Sequence, residues 1–302
     1  MASREGPTGL EGLVTESRRE DVDYSVRSTR ELVELMNRED ATVPAAVGSV
    51  AGELARTIDA IAERLRDGGR LVYIGAGSSG AIAALDADEC EATFSTEPGQ
   101  VVALVAGAAL APGEREAAED DAGAGARAVE QHGVSARDAV VGVSASGRTP
   151  YVLAALERAQ ATGALTVALV AARGSQLGAA ADHELAVVVG SEVLAGSTRL
   201  KAGTAQKLVL NTISTVAMIK LGKTYGDLMV DLRASNAKLE ARARRIVRMA
   251  TGVSDEEAET ALAAAGGSAK VAVVALLKEI DADAAHAELE RAGGDIRSAL
   301  ES

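Results

Sequence analysis

The chain has 302 residues and a formal net charge of −13, from 31 Lys and Arg against 44 Asp and Glu. That balance excludes a nucleic-acid backbone as the natural partner, which needs a basic footprint, but leaves room for a small anion held by amide donors. Hydrophobic residues make up 47%, enough for a packed core, and with no Trp, one Phe and four Tyr that core is aliphatic and offers no stacking platform for bases.

The single cysteine, Cys90, excludes an internal disulfide and any multi-cysteine metal site. The three histidines, His132, His183 and His286, lack ligand spacing, so no metal is expected. The N-terminus carries no apolar core of a secretory signal, and no stretch reaches the roughly 18 apolar residues that span a bilayer. The expected setting is soluble and cytoplasmic, with no membrane partner.

In chain order, residues 1 to 12 read as frayed. Ser28 and Glu31 form a capping box before a helix running to Met36. A longer amphipathic helix is expected from Thr42-Val-Pro44, with Val47, Val50, Leu54, Ile58, Ile61 and Leu65 on one face, up to the stop at Gly68-Gly69. Arg70 to Ile74 is a strand, Gly75-Ala-Gly-Ser-Ser-Gly80 a Gly-rich turn, and the Ala-rich segment after it a helix. Val101 to Val105 is a second strand, followed by one acidic helical piece from Glu114 to Glu130.

The pattern then repeats. Asp138 to Val143 is a strand, Ser144-Ala-Ser-Gly-Arg-Thr149 a polar turn, and Pro150 to Thr162 a helix with Pro in its first turn. Leu165 to Val170 and His183 to Val189 are strands, and Leu200 to Leu221 is a long helix. Strands alternating with helices imply an α/β fold, a doubly wound three-layer sandwich around a parallel sheet. Past Arg248 come three short helices, at Ser254–Leu262, Lys270–Leu277 and Asp283–Leu289. A bundle of about 50 residues is marginal alone, so it is expected to dock on the main domain or on a partner subunit. The expected domains are an N-terminal helical arm (1–45), a main α/β domain (46–248) and a small helical domain (249–302).

The glycines of Gly75–Gly80 match the dinucleotide spacing G-x-G-x-x-G, but no acidic residue near Val101–Val105 stands ready for a ribose. Hydroxyls and free amides at a helix start instead make a phosphate cradle. Gly77, Ser78 and Ser79 in the first turn, and Ser144, Ser146, Gly147 and Thr149 in the second, both follow parallel strands and face one crevice. Two such cradles suit a sugar phosphate, one taking the phosphate and one the ring hydroxyls. A lone Ser-rich turn of this kind is commonly just an N-cap.

Several segments together carry a resemblance. They are Leu13-Val-Thr-Glu-Ser17, Glu39-Asp-x-Thr-Val-Pro44, Tyr73-Ile-Gly-Ala-Gly77, Asp86-Ala-x-Glu-Cys90, Ala118-Glu-Asp120 and Val143-Ser-Ala-Ser-Gly-Arg-Thr-Pro-Tyr151. The longest runs from Gly196 to Asn211 and continues from Tyr225 to Lys238. The units resemble the SIS (sugar isomerase) fold, and over roughly residues 13 to 250 the chain resembles the N-acetylmuramic acid 6-phosphate etherase family. The resemblance implies a lyase that eliminates lactate across C2–C3 of the open-chain sugar and then adds water. It also implies recycling of cell-wall sugars, a homodimer, no organic cofactor, and kinship with the vertebrate glucokinase regulatory protein.

By motif position, Glu89 corresponds to the family's proton donor and Glu119 to its second catalytic carboxylate, so the two are expected to flank one sugar. Ser197, Thr198, Lys201 and Glu192 are expected to border the pocket by the same match. Cys90, with no His near it in the motif, reads as a packed thiol. Where the family has Gly-Thr-Ser-Gly-Arg-Leu-Gly, this chain has Gly77-Ser-Ser-Gly-Ala-Ile-Ala83. Where the family has Ser-Glu-Cys-Pro-Pro-Thr-Phe-Gly, it has Asp88-Glu-Cys-Glu-Ala-Thr-Phe-Ser95. These departures keep two alternatives open, a sugar-phosphate sensor with little catalysis and an SIS sugar-phosphate isomerase. An SIS-type transcription factor is disfavoured, since no basic helix-turn-helix precedes the domain.

Overall fold

The computed structural model describes residues 12–19, 23–231 and 237–302. The first eleven residues and Leu232–Asn236, the latter part of the Tyr225–Lys238 motif, lie outside the described residues. The chain divides into two compact units, one of residues 1–87 and 102–213, the other of residues 88–101 and 214–302.

The first unit is built on strands β1 (Leu71–Gly75), β2 (Val101–Val105), β3 (Ala139–Val143), β4 (Leu165–Val170) and β5 (His183–Ala186). Their order is β2-β1-β3-β4-β5, and the pairs from β1 to β5 are parallel. Every residue of β1, β3 and β4 is buried, as apolar runs in a sheet covered on both faces must be.

Alternation along the strands sorts the covering layers. Val72, Ile74, Val140, Ala168 and Val170 pack into one core with Val152, Ala155 and Leu156 of α7 (Pro150–Ala161). Tyr73 points the other way. Its hydroxyl donates to Asp86 Oδ2 at 2.7 Å on α4 (Gly77–Phe94), and Asn211 Nδ2 of α9 (Lys201–Lys220) donates to Asp86 Oδ1 at 2.6 Å. Asp86 and Asn211, both from the family-like segments, thus fasten two helices to the sheet.

The structure breaks two segments expected to be continuous. After α1 (Thr29–Asp40), the helix expected up to Gly68 is split into α2 (Val43–Gly48) and α3 (Ala51–Arg66). Gly48 is a poor helix former, Ser49 Oγ bonds back to Ala46 O at 2.7 Å, and Val50 N bonds to Val47 O, which tightens the turn. The acidic piece becomes α5 (Pro112–Ala118) and α6 (Ala122–Gln131), because Asp121 caps α6 by accepting from Ala124 N at 2.8 Å. The short α8 (Gln176–Ala179) is capped by Ser175 in the same way.

The second unit contains α10 (Ala237–Thr251), α11 (Asp255–Ala264), α12 (Ala269–Lys278), α13 (Ala282–Arg291) and α14 (Ile296–Glu301). The last lies beyond the three short helices expected from the sequence, and Asp295 caps it by accepting from Ser298 N at 2.8 Å. Val247, Leu262, Val274, Leu289 and Ile296 share its core. Lys270, almost fully buried, and Lys223 both meet Asp231, at 2.8 and 3.1 Å. Among the described residues no single helix is long and apolar enough to cross a membrane.

At the N-terminal ends of the strands the buried Asp138 receives Arg70 N at 2.9 Å, Arg70 Nη2 at 2.9 Å and Ser135 N at 2.8 Å. Burial alone would raise its carboxyl, but these donors outweigh it and hold Asp138 below the usual carboxylate range. A depressed value contributes stability that is present above the unfolded-state value of about 3.9 and fades as pH falls through the lowered one. Asp138→Ala is expected to cost about 2–3 kcal/mol in urea unfolding at pH 7, with the difference from wild type shrinking below about pH 4.

Candidate functional site

The strand order reverses between β1 and β3, the point at which doubly wound sheets open a ligand crevice at their carboxyl ends. The helix after β1 begins immediately, at Gly77. Gly77 has φ +52°, which bends the chain out of the strand and puts Ser78 and Ser79 in the first turn of α4. The first amides of a helix have no partner inside it, so this turn presents hydroxyls, amides and the positive end of the helix dipole together.

The turn after β3 is held by its own hydroxyls. Ser144 Oγ accepts from Gly147 N at 3.1 Å and lies 2.9 Å from Thr149 Oγ1, while Ser146 Oγ accepts from Arg148 N at 3.3 Å. Thr149 precedes α7 without its side chain capping that helix.

Glu119 stands over both turns because α5 ends at it. Its carbonyl accepts Tyr151 N at 3.0 Å, from the first turn of α7. Its carboxylate lies against Gly77 so closely that a Cβ there would come within 2.6 Å of Oε1. Burial first, then the nearby Asp120 and Glu116 carboxylates, raise its carboxyl above the usual value. Among the described residues its side chain accepts no hydrogen bond.

These groups line one cavity of about 450 Å³, with Ser78, Ser79, Ser144, Ser146 and Thr149 joined by Thr198 and by Glu16, Arg115, Glu116 and Glu119. The size is within the range of small-molecule sites. Of the residues expected at the site, Gly77 also lines it. Gly147 acts one step back, through its bond to Ser144, and Ser197 precedes the lining residue Thr198.

Glu192 and Lys201 have other tasks. Fully buried Glu192 accepts from Lys201 N at 3.0 Å and Ala202 N at 2.9 Å, capping α9 with both oxygens. Lys201 Nζ bonds Glu39 at 2.9 Å, and Arg19 pairs with the same carboxylate. The Arg19 hydrogen bond is the main cause that lowers Glu39 to about 2, with Lys201 assisting against burial. Neither Glu192 nor Lys201 lines the cavity. They fix the loop that carries Thr198.

Glu89, on α4, is exposed, belongs to the second unit, and is not among the residues lining this cavity. Cys90 beside it is buried.

Glu16 is a lining residue that reasoning from the sequence missed. It sits in a single 3-10 turn (Val14–Glu16) between buried Leu13 and Thr15 and the rest of the chain, and Gly196 N donates to Thr15 O at 2.9 Å. Tyr24 further straps this segment down, its hydroxyl donating to Val193 O at 2.8 Å. Glu16 lies in the family-like segment Leu13–Ser17, but nothing within that segment shows that it faces the cavity, because the residues it meets there, Gly77, Glu119 and Thr198 among them, are distant in sequence. Among the described residues no cluster of three His, Cys, Asp or Glu side chains could hold a metal ion.

Residues 53–160 match the model of the glucokinase regulatory protein N-terminal SIS domain, and residues 125–215 match the SIS domain model. The chain is 58% identical over 290 residues to the N-acetylmuramic acid 6-phosphate etherase of Rubrobacter xylanophilus, covering 95% of this chain and 96% of that one. The chain belongs to the N-acetylmuramic acid 6-phosphate etherase family. The etherase of Streptomyces avermitilis is 54% identical, across 96% of this chain and 94% of that one. A solved phosphoheptose isomerase from Francisella tularensis shares 20% identity with a TM-score of 0.52, over 64% of this chain and all of that one. It shows the SIS fold alone.

Within this etherase-family fold, Gly77 is where a side chain would meet the Glu119 carboxylate. In Gly77→Ala the added methyl group is expected to push the Glu119 carboxylate out toward water. Its titration, followed by NMR of labelled glutamate carboxyls, then falls from above the ordinary value back toward about 4.3.

Proposed function

We propose that the chain is a carbon–oxygen lyase that cleaves the lactyl ether of N-acetylmuramic acid 6-phosphate, giving N-acetylglucosamine 6-phosphate and lactate in the recycling of cell-wall sugars. Full-length likeness to curated etherases supports the reaction. The observation within the chain that carries the reading is Glu119, a half-buried carboxylate with a raised pKa between two helix-opening, hydroxyl-rich turns. A phosphate ester suits the amides and hydroxyls of those turns, which leaves the sugar carbons beside the carboxylate.

On the open-chain sugar, the C2 proton is made acidic by the neighbouring aldehyde. Glu119 takes it, and its raised pKa makes it a stronger base than an ordinary glutamate. The electron pair forms the C2–C3 double bond, and the C3–O bond to lactate breaks. The departing oxygen needs a proton, which Glu89 gives in this reading. Water then adds at C3 and a proton returns to C2, so the sum is substrate plus water giving sugar phosphate and lactate. Ser78, Ser79, Ser144, Ser146, Thr149 and Thr198 bind the sugar phosphate in this reading.

We place the enzyme in the cytoplasm, where a charged sugar phosphate is retained, and we propose a homodimer. Helix α1 supports the dimer: it has no buried residue, and its Val33 is 62% exposed.

Lactate release from N-acetylmuramic acid 6-phosphate, followed by NMR, tests the reaction, and in deuterated water the product is expected to carry deuterium at C2. Glu119→Gln and Glu89→Gln are each expected to lower turnover about a hundredfold or more; unchanged turnover in a folded variant removes that carboxylate from the mechanism. The acid limb of kcat/KM is expected above about 4.3, the ordinary glutamate value, because Glu119 must be ionised to accept the proton. Ser146→Ala is expected to weaken phosphate-ester binding by calorimetry.

A further inference from the structure

Among the described residues, the cavity is lined by three glutamates, Glu16, Glu116 and Glu119, and by one basic side chain, Arg115. Among the described residues Arg115 forms an ion pair with none of them. Its guanidinium is nevertheless oriented, since Nε donates to Leu110 O at 3.0 Å. That bond uses one nitrogen and leaves both Nη groups as a fork, the arrangement that grips a carboxylate through two parallel hydrogen bonds.

The backbone beneath it is equally fixed. Helix α5 lies on Gly107, φ +64°, where a Cβ would meet Ala118 Cβ at 3.0 Å and Arg115 Cα at 3.2 Å. Arg115 and Glu119 are four residues apart, and Glu119 keeps helical dihedrals at the end of α5, so both side chains rise from one helix face.

The substrate of the proposed reaction carries two anionic groups. The two helix-opening turns suit the phosphate. The carboxylate of the lactyl ether hangs from C3, next to the carbon that Glu119 deprotonates, and therefore has to lie near Glu119. A second anion among three glutamates needs a cation there.

We propose that Arg115 binds the lactyl carboxylate through its two Nη groups, and so both selects the acid-bearing ether and holds the leaving group beside Glu119. This rests on the reaction proposed above. The contact is made by the substrate and not by the sugar phosphate product, which has lost the lactyl group.

The test compares the full-length wild type with Arg115→Met and Arg115→Lys, measuring lactate release and, by calorimetry, the affinity for N-acetylglucosamine 6-phosphate. Arg115→Met is expected to raise KM about 10- to 100-fold, the usual scale of a lost charge-assisted hydrogen bond. Affinity for the product is expected to stay within about twofold, which also reports that the variant is folded. Arg115→Lys is expected to restore part of the loss, as a point charge without the fork. An unchanged KM in Arg115→Met overturns the contact, and so does an equal loss for the product, which places the arginine on the phosphate instead. A wild type that releases no lactate overturns the reaction itself, an outcome distinct from either.

Discussion

The hydrogen-bonded register between β1 and β3 is the constraint from which the site follows. Gly75 pairs with Val143 at the last position of the two strands, so two parallel strands end level and adjacent. β1 turns almost at once into α4 and β3 reaches α7 through the hydroxyl-rich turn 144–149, so two helix N-termini with their unspent amides open at the same end of the sheet. Glu119 is then placed by one more backbone bond, from Tyr151 N to its carbonyl, and by the missing side chain at Gly77. A slip of one register position would separate the turns and remove the carboxylate from both.

The two ends of the sheet divide stability from chemistry. At the N-terminal ends, Asp138 is surrounded by donors and sits below the ordinary carboxylate range. In the strap between the N-terminal segment and α9, Glu39 is lowered to about 2 by Arg19 and Lys201. At the C-terminal ends, Glu119 has burial and like charge around it and no donor from the described residues, and its value goes up. The same functional group is thus a fastener with a lowered pKa where cations and amides converge on it, and keeps a raised one where they do not.

Neighbouring residues of one motif divide in the same way. In the segment Asp86-Ala-Asp-Glu-Cys90, Asp86 ties α4 to β1 and α9, Cys90 is packed, and Glu89 is exposed. In the Gly196–Asn211 stretch, Lys201 and Asn211 hold the scaffold and Thr198 lines the cavity. One motif therefore mixes residues that pack the scaffold with residues that line the cavity, and only geometry separates them.

Local chemistry made much of this legible in the amino-acid order. Apolar runs bounded by Gly marked the strands, the capping box at Ser28 and the Pro at 150 marked helix starts, and the two Ser-rich turns marked strand-to-helix junctions, because each depends on neighbours a few residues away. The fold class was readable on those terms, while the expectation for Glu119 came through the family likeness. Tertiary structure alone decided that Ser49 and Asp121 interrupt helices, that Glu192 and Lys201 serve α9, and that Glu16 and Arg115 face the cavity. The cavity contacts join segments far apart in the chain, which no short window of sequence contains, while at Ser49 and Asp121 a local hydrogen bond competes with a continuing helix, and only the packed structure decides which prevails.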